Sequence, residues 1–494
     1  MSQAGLALLV LAALAPARSS QEPPANEGGQ EEKQEQQEEK KEEKKEEKKA
    51  GEGQEAGHDD PAPAPADEGP TVVPEATPGA ETAGGAGAPG ELARPGHPAV
   101  VWPLSSDAIT LHLRGIAEAH PAVAALESVG RSTKGLEILA LRLGLRSEAP
   151  GPEKPVLFLV DFQGPASAGP EAMLELAWQL AAEFEHDERV RALLERTTLV
   201  IAPALDPDAR ADVTSVGVSD AGHSALRFER NFPSGWQPDS VRPGSGRVPL
   251  TEPQTLSAAR YLANLKGCAV VLGFTAPAPR GEPYPGAELP AADREVFAKL
   301  GAALDLEGAS ALVPWFELGS PGGSLFDFAY QARGIYPLCF PLPTEEELAA
   351  GGLSSFGAQV VTRVKRCLAL LPRVEIAQEG LERLGGDNWQ LDVRIQNVGI
   401  VPTSSALARH NASLSDVSLR LEGAKLMATA RKPNAGAPYT DASFQVRTPL
   451  SAGTLAGGEG RWLRLFLEAA PSSSVRLTTS SPWAGSSAVE VTLP

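Results

Sequence analysis

Apolar positions recur in two distinct rhythms along this chain, with a change near Pro372. Between Val100 and Pro372 short apolar runs alternate with helical repeats. Val156 to Asp161 reads V-L-F-L-V-D, the pattern of a strand buried on both faces of a parallel sheet. A Gly- and Pro-rich turn follows, and Glu171 to Phe184 then repeats apolar residues at helical spacing. Ser106 to Ala119 predicts an opening helix that ends at His120-Pro121. A strand pair turning at Lys134-Gly135 follows, with Leu136 to Leu143 alternating. Thr198 to Pro203, Ala269 to Phe274 and Tyr336 to Leu342 are further strands, and Thr255 to Leu265 is a helix that Thr251 or a neighbour caps. Beyond Pro372 the period drops to two. Trp389, Leu391, Val393 and Ile395 alternate with polar residues, and Val417 to Leu421, Phe444 to Val446, Leu463 to Leu467, Val475 to Leu477 and Val489 to Leu493 continue the pattern. Short alternating strands over about 120 residues predict a small antiparallel β-sandwich.

The first hundred residues follow neither rhythm. Leu6 to Ala15 is an apolar run ending in the small-x-small site Ala15-Pro16-Ala17, which reads as a signal peptide over 1–17 and implies export to the cell envelope, the periplasm or the medium. The run is too short for a membrane anchor. Glu31 to Lys49 contains only Glu, Lys and Gln, and residues 50 to 99 are dominated by Ala, Pro, Gly and Glu. Residues 18–99 therefore read as a disordered, solvated tether. The predicted organisation is a tether, an α/β domain at 100–372 with helices on both faces of a mixed, mainly parallel sheet, and a sandwich at 375–494.

Charge and cysteine narrow the function. A net charge of −19 over 494 residues argues against nucleic-acid binding. Three cysteines, Cys268, Cys339 and Cys367, lie far apart in apolar segments. They read as buried thiols, with one disulfide as the alternative, and not as a metal site.

Five motifs in one order carry a resemblance: Val129-Gly130-Arg131-Ser132 before a strand, the loop after Asp161, Leu205-Asp206-Pro207-Asp208-Ala209, Arg227-Phe228-Glu229-Arg230-Asn231-Phe232-Pro233, and Leu250-Thr251-Glu252-Pro253-Gln254-Thr255. Together they resemble the zinc carboxypeptidases of the M14 family, which implies a carboxypeptidase-like fold with its site at the carboxyl ends of the central strands. In that family two zinc ligands, a histidine and a glutamate, lie in the loop where this chain has Gln163 and Ala166. The third histidine aligns with Thr275 or Ala276, the catalytic glutamate with Pro341 or Leu342, and the mobile tyrosine with Leu318. The carboxylate-binding Asn-Arg pair aligns with Glu229 and Arg230.

None of those replacements supplies the missing chemistry. Glutamine is a poor zinc donor and alanine is none. The seven histidines do not rebuild a ligand set: His58 and His97 lie in the tether, His112 and His120 at the opening helix, His186 at a helix end, His223 alone in a loop and His410 in the C-terminal part. The resemblance thus implies an inactive member without zinc, binding a peptide or cell-envelope ligand at Arg230 and Glu229. Two other readings stay open. One is an unusual hydrolase using Asp161, Asp206 or Glu229, with zinc as its cofactor. The other is a structural or assembly module whose old pocket is filled.

Overall fold

The computed structural model describes residues 91–92, 100–145, 154–164, 167–211, 228–275, 289–304, 313–314, 322–411 and 414–494. The expected signal peptide, nearly all of the expected tether, Ala166, Arg227, His223 and Leu318 lie outside the described residues. Among those described, no helix is long and apolar enough to cross a membrane.

Seven strands form one sheet in the order β1-β2-β4-β3-β5-β7-β6. They are β1 (Ala124–Arg131), β2 (Glu137–Leu143), β3 (Val156–Val160), β4 (Thr198–Ala202), β5 (Cys268–Thr275), β6 (Val313–Pro314) and β7 (Tyr336–Pro341). The centre is parallel, through the pairs β4/β3, β3/β5 and β5/β7, and antiparallel strands complete both sides. Every residue of β3 and β4 is buried, as continuous apolar runs demand of strands covered on both faces. The helices are α1 (Ser106–Ala119), α2 (Gly169–His186), α3 (Glu188–Arg196), α4 (Pro253–Asn264), α5 (Ala291–Leu304) and α6 (Gly352–Leu370). This is the carboxypeptidase-like α/β layout expected from the chain. One local expectation fails: α4 has Glu252 at its N-cap with no side-chain cap, because the Thr251 hydroxyl bonds Asn231 Oδ1 instead (3.2 Å). All three cysteines are buried and free, and burial pushes each thiol well above its usual range.

Two four-stranded antiparallel sheets follow, enclosing a second core around Trp389, Leu391 and Leu465. One runs β8-β9-β13-β11 and the other β12-β10-β14-β15. The strands are β8 (Val374–Gly385), β9 (Asn388–Asn397), β10 (Val417–Glu422), β11 (Lys425–Lys432), β12 (Leu450–Gly453), β13 (Gly460–Glu468), β14 (Ser474–Ser481) and β15 (Gly485–Thr492). The strand expected at Phe444 to Val446 does not form. Phe444 is 80% exposed, and its neighbour Ser443 pairs with Thr429 of β11 as an isolated bridge.

A single carboxylate ties the two parts together. Asp293 on α5 is buried and accepts four hydrogen bonds: from Tyr330 Oη (2.8 Å), Tyr336 Oη (2.7 Å), and the backbone N–H groups of Ala406 (2.8 Å) and Leu407 (3.1 Å). The last two open the short helix α7 (Ala406–His410), so Asp293 satisfies orphan donors of an element that follows the first strands of the sandwich. Tyr336 also packs edge-on against Trp483, ring centroids 6.1 Å apart. Replacing Asp293 by Ala strands four buried donors, which costs on the order of 3 kcal/mol or more. Denaturant unfolding of the D293A chain should show a markedly lowered midpoint and a separate transition for the sandwich. An unchanged, single transition would show that this contact does not hold the parts together.

Candidate functional site

The carboxyl ends of the central strands bring several of the singled-out residues together. Gln163 lies just past β3, Thr275 ends β5 and Pro341 ends β7, and Thr275 and Pro341 are direct register partners. All three are half-buried. The segment bearing Glu229 and Arg230 arrives at the same end, because Phe228 stacks on Phe162, the neighbour of Gln163 (centroids 5.3 Å).

The polar groups that remain there hold loops. Asp161, buried at the end of β3, receives the Gln163 N–H (2.9 Å) on one oxygen and the Ser167 hydroxyl on the other. Burial pushes its carboxyl up to about 6, with the Arg210 guanidinium pulling the other way. Arg210, 1% exposed, donates to the carbonyls of Gly164 (3.2 Å), Leu104 (2.9 Å) and Ser167, and to Glu171 Oε1 (3.2 Å). Glu171 Oε1 also accepts the Leu104 N–H (2.7 Å). Asn231 uses both ends of its amide: Oδ1 receives the N–H of Thr251 (2.9 Å) and the Thr255 hydroxyl (3.0 Å), while Nδ2 reaches the carbonyls of Ser245 and Val248.

Arg230 sits at the rim. One of its terminal nitrogens donates to the Pro243 carbonyl (2.8 Å), and Nε lies 4.0 Å from Glu229 Oε1, buried and without a hydrogen-bond partner. The Glu229–Arg230 pair is therefore present but loose, with Glu229 38% exposed at its side chain. Such a partly exposed pair contributes little to stability.

Beside Phe162, next to Gln163, aromatic rings pack. Phe162, Phe228, Phe232, Phe326 and Phe328 form a chain of ring contacts with centroids 5.2 to 6.1 Å apart. Phe326 crosses β5 so closely that a Cβ added at Gly273 would overlap its ring. Glycine at 273 is thus required by the ring above it.

The described residues do not fit a zinc ion. Gln163, Thr275 and Pro341 offer an amide, a hydroxyl and no donor; Asp161, the nearest carboxylate, spends both oxygens on its own loop. Among the described residues no three His, Cys, Asp or Glu side chains are grouped to hold a metal. Arg210, Glu171 and the aromatic chain went unread in the sequence. The signals were modest: an Arg directly after Asp208-Ala209, a Glu in the first turn of α2, and Phe on either side of Glu229-Arg230-Asn231.

Asp206 offers a direct measurement of this electrostatics. Burial, then the neighbouring Asp208 carboxylate, pushes its pKa up to about 6. Between roughly pH 4 and 6 the folded chain keeps a proton that the unfolded chain has released, so stability falls as pH rises through that window. In the Asp206→Asn variant part of that slope should vanish, with a gain on the order of 1–2 kcal/mol at pH 7.5 after solvent screening. Urea titrations at pH 4.5 and 7.5 read it; parallel curves for variant and wild type would refute the assignment.

Comparisons with known proteins agree with this architecture. Residues 109–267 match the family model described as zinc carboxypeptidase, peptidase M14, and residues 373–492 match one described only as a domain of unknown function. Carboxypeptidase D of Homo sapiens is 33% identical over 99 residues, 20% of this chain and 7% of that protein. Carboxypeptidase M of Mus musculus is 24% identical over 178 residues, 33% of this chain and 38% of that protein. The chain thus spans under a tenth of the carboxypeptidase D sequences it matches first. Among solved structures, thrombin activatable fibrinolysis inhibitor superposes with a TM-score of 0.45 at 14% identity, over 55% of this chain and 74% of that one. Residues 109–267 are thus similar to the zinc carboxypeptidases of the M14 family.

Proposed function

We propose that this chain is an exported, non-catalytic carboxypeptidase-like protein whose reaction centre has become a packed aromatic floor serving structure and assembly. The observation that carries this reading is the Phe326 ring lying over Gly273, joined to Phe162 and Phe228, where a substrate would have to descend toward the strand ends. The donor set at those ends supports it, since zinc-activated water requires three protein ligands and an open position. The hydrolase reading finds less support: Asp161 is engaged by Ser167 and Gln163, and Asp206 faces further carboxylates.

One observation favours a second reading, in which a peptide or cell-envelope ligand binds at the rim. Arg230 Nε is buried with no hydrogen-bond partner, while its side chain keeps 26% exposure. An anion beside it would complete the guanidinium's donors. Glu229 opposes that, since like charges about 4 Å apart cost on the order of 4 kcal/mol at an effective dielectric of 20.

Two measurements test the main reading. Phe326→Ala should destabilise the chain by about 3–5 kcal/mol, the cost of emptying a packed aromatic site; a loss under about 1 kcal/mol would mean that an open cleft lies there instead. Elemental analysis of purified protein should find no stoichiometric zinc, and peptides should keep their C-terminal residues. Adding Gln163→His, Ala166→Glu and Thr275→His together should bring some zinc affinity and little turnover, because Pro341 and Leu318 still provide neither base nor tyrosine. About one zinc per wild-type chain overturns the reading.

A further inference from the structure

A polar concavity lies in the sandwich, beside the edge strand β11. The segment after Tyr439 returns along β11 without joining the sheet. Thr429 and Ser443 exchange backbone hydrogen bonds (3.0 and 2.8 Å), and the Thr440 N–H donates to the Arg431 carbonyl (2.8 Å) while its hydroxyl accepts the Arg431 N–H (3.1 Å). The chain then swings away toward β12. Between them is a cavity of about 410 Å³ whose lining includes Arg431, Arg447, Asp441, Gln445, Thr440 and Ser443. A second cavity, of about 170 Å³, shares Arg431 and Thr440 and adds Lys432, Arg461 and Trp462. The two cavities adjoin at Arg431 and Thr440.

Several cations of the sandwich are paired. Arg464, Arg394, Arg461 and Lys425 each face a carboxylate within 2.7 to 2.9 Å. Arg431 and Arg447 line the larger cavity with no ion pair among the described residues. Two guanidiniums, Arg431 and Arg447, against one carboxylate, Asp441, leave a surplus of positive charge in the cavity lining. A guanidinium fork binds carboxylates bidentately. The hydroxyls and the Gln445 amide beside it both donate and accept, which suits a ligand carrying hydroxyls. Trp462, half-buried at the second cavity, offers a flat apolar face with a polar edge.

An acidic peptide fits less well. Peptides bind sheet edges by adding a strand, and the backbone groups of β11 at Thr429 and Arg431 are already taken by Ser443 and Thr440. A nucleic acid would meet the repulsion of the whole acidic chain.

We propose that this groove binds an acidic polysaccharide of the uronate class. Arg431 and Arg447 hold the carboxylate of one sugar, Gln445, Thr440 and Ser443 meet its ring hydroxyls, and the next sugar passes over Arg431 onto Trp462. The site is separate from the strand-end loops, so it stands whether or not the aromatic floor is closed.

The test uses the full chain with sodium polygalacturonate and sodium alginate, against dextran as the neutral glycan and poly-L-glutamate as the acidic peptide. Binding is expected to at least one uronate polymer and to neither control. The Arg431→Gln/Arg447→Gln variant should bind about tenfold or more weakly, as loss of charge-assisted hydrogen bonds predicts, with its unfolding midpoint unchanged. Should that variant misfold, the exposed single change Gln445→Ala decides, with a severalfold loss expected. Failure of both uronate polymers to bind, full binding by the folded double variant, or no effect of Gln445→Ala overturns the proposal. Equal binding of poly-L-glutamate overturns the saccharide assignment.

Discussion

A buried guanidinium does at the strand ends what a metal ion does in a catalytic site of this kind: it gathers loops that would otherwise have no reason to meet. Arg210 draws the carbonyls of Gly164, Ser167 and Leu104 to one point and takes Glu171 as counter-ion. These partners come from the segment before α1, the loop after β3 and the first turn of α2. Removing one partner of such a pair leaves a buried, uncompensated charge, which typically costs about 3–5 kcal/mol. The loop bearing Gln163 therefore keeps its place through a covalently attached cation. That frees positions 163 and 275 from any duty as ligands, and the side chains found there are indifferent as metal donors.

The same economy of donors governs the junction with the sandwich. Asp293 accepts from two tyrosines of the α/β half and two backbone groups of α7, and Asn397 performs a matching task nearby. Its Oδ1 takes the N–H groups of Arg373 and Gly399 (both 3.1 Å), and its Nδ2 reaches the Val401 carbonyl (2.9 Å). Val401 and Trp483, both from the C-terminal half, are buried in the first core rather than the second. The boundary at Pro372 is thus a change of architecture with packing across it, consistent with a chain in which the second half stabilises the first.

Much of the α/β half was legible because its strands are buried on both faces and read as uninterrupted apolar runs; β3, β4, β5 and β7 all fall within a residue or two of where those runs lie. The sandwich was harder, since half-buried strands announce themselves only by alternation. β8 begins with Val374 and Ile376 in register, but a bulge between Gln378 and Gly380 breaks the period. β11 buries Ala428 and Ala430, too small to stand out, and sets only the half-buried Leu426 against the second core. Phe444 and Val446 alternate correctly and yet form no strand, because the adjoining turn leaves Phe444 in solvent. At the strand ends, motif order was enough to bring Gln163, Thr275 and Arg230 to one region. It could not disclose Arg210, whose partner Leu104 is 106 positions away, or Phe326, whose significance depends on Gly273 beneath it.

Carboxylates with raised pKa values usually mark tuned chemistry, and two of them, Asp161 and Asp206, lie just beyond the central strands β3 and β4. The geometry assigns them another cause. Asp161 is pushed up by burial beneath its own loop, with Ser167 and Gln163 holding it in place, and Asp206 by burial and the crowding of Asp208. A general base must face a substrate proton, and Asp161 faces its own loop. Among the described residues, donors without a protein partner lie instead at the rim, on Arg230 Nε, and in the groove beside β11, on Arg431 and Arg447, which form no ion pair. If this chain recognises anything, the recognition is carried by arginines that the fold does not use, and the carboxylates it retains at the strand ends belong to the scaffold.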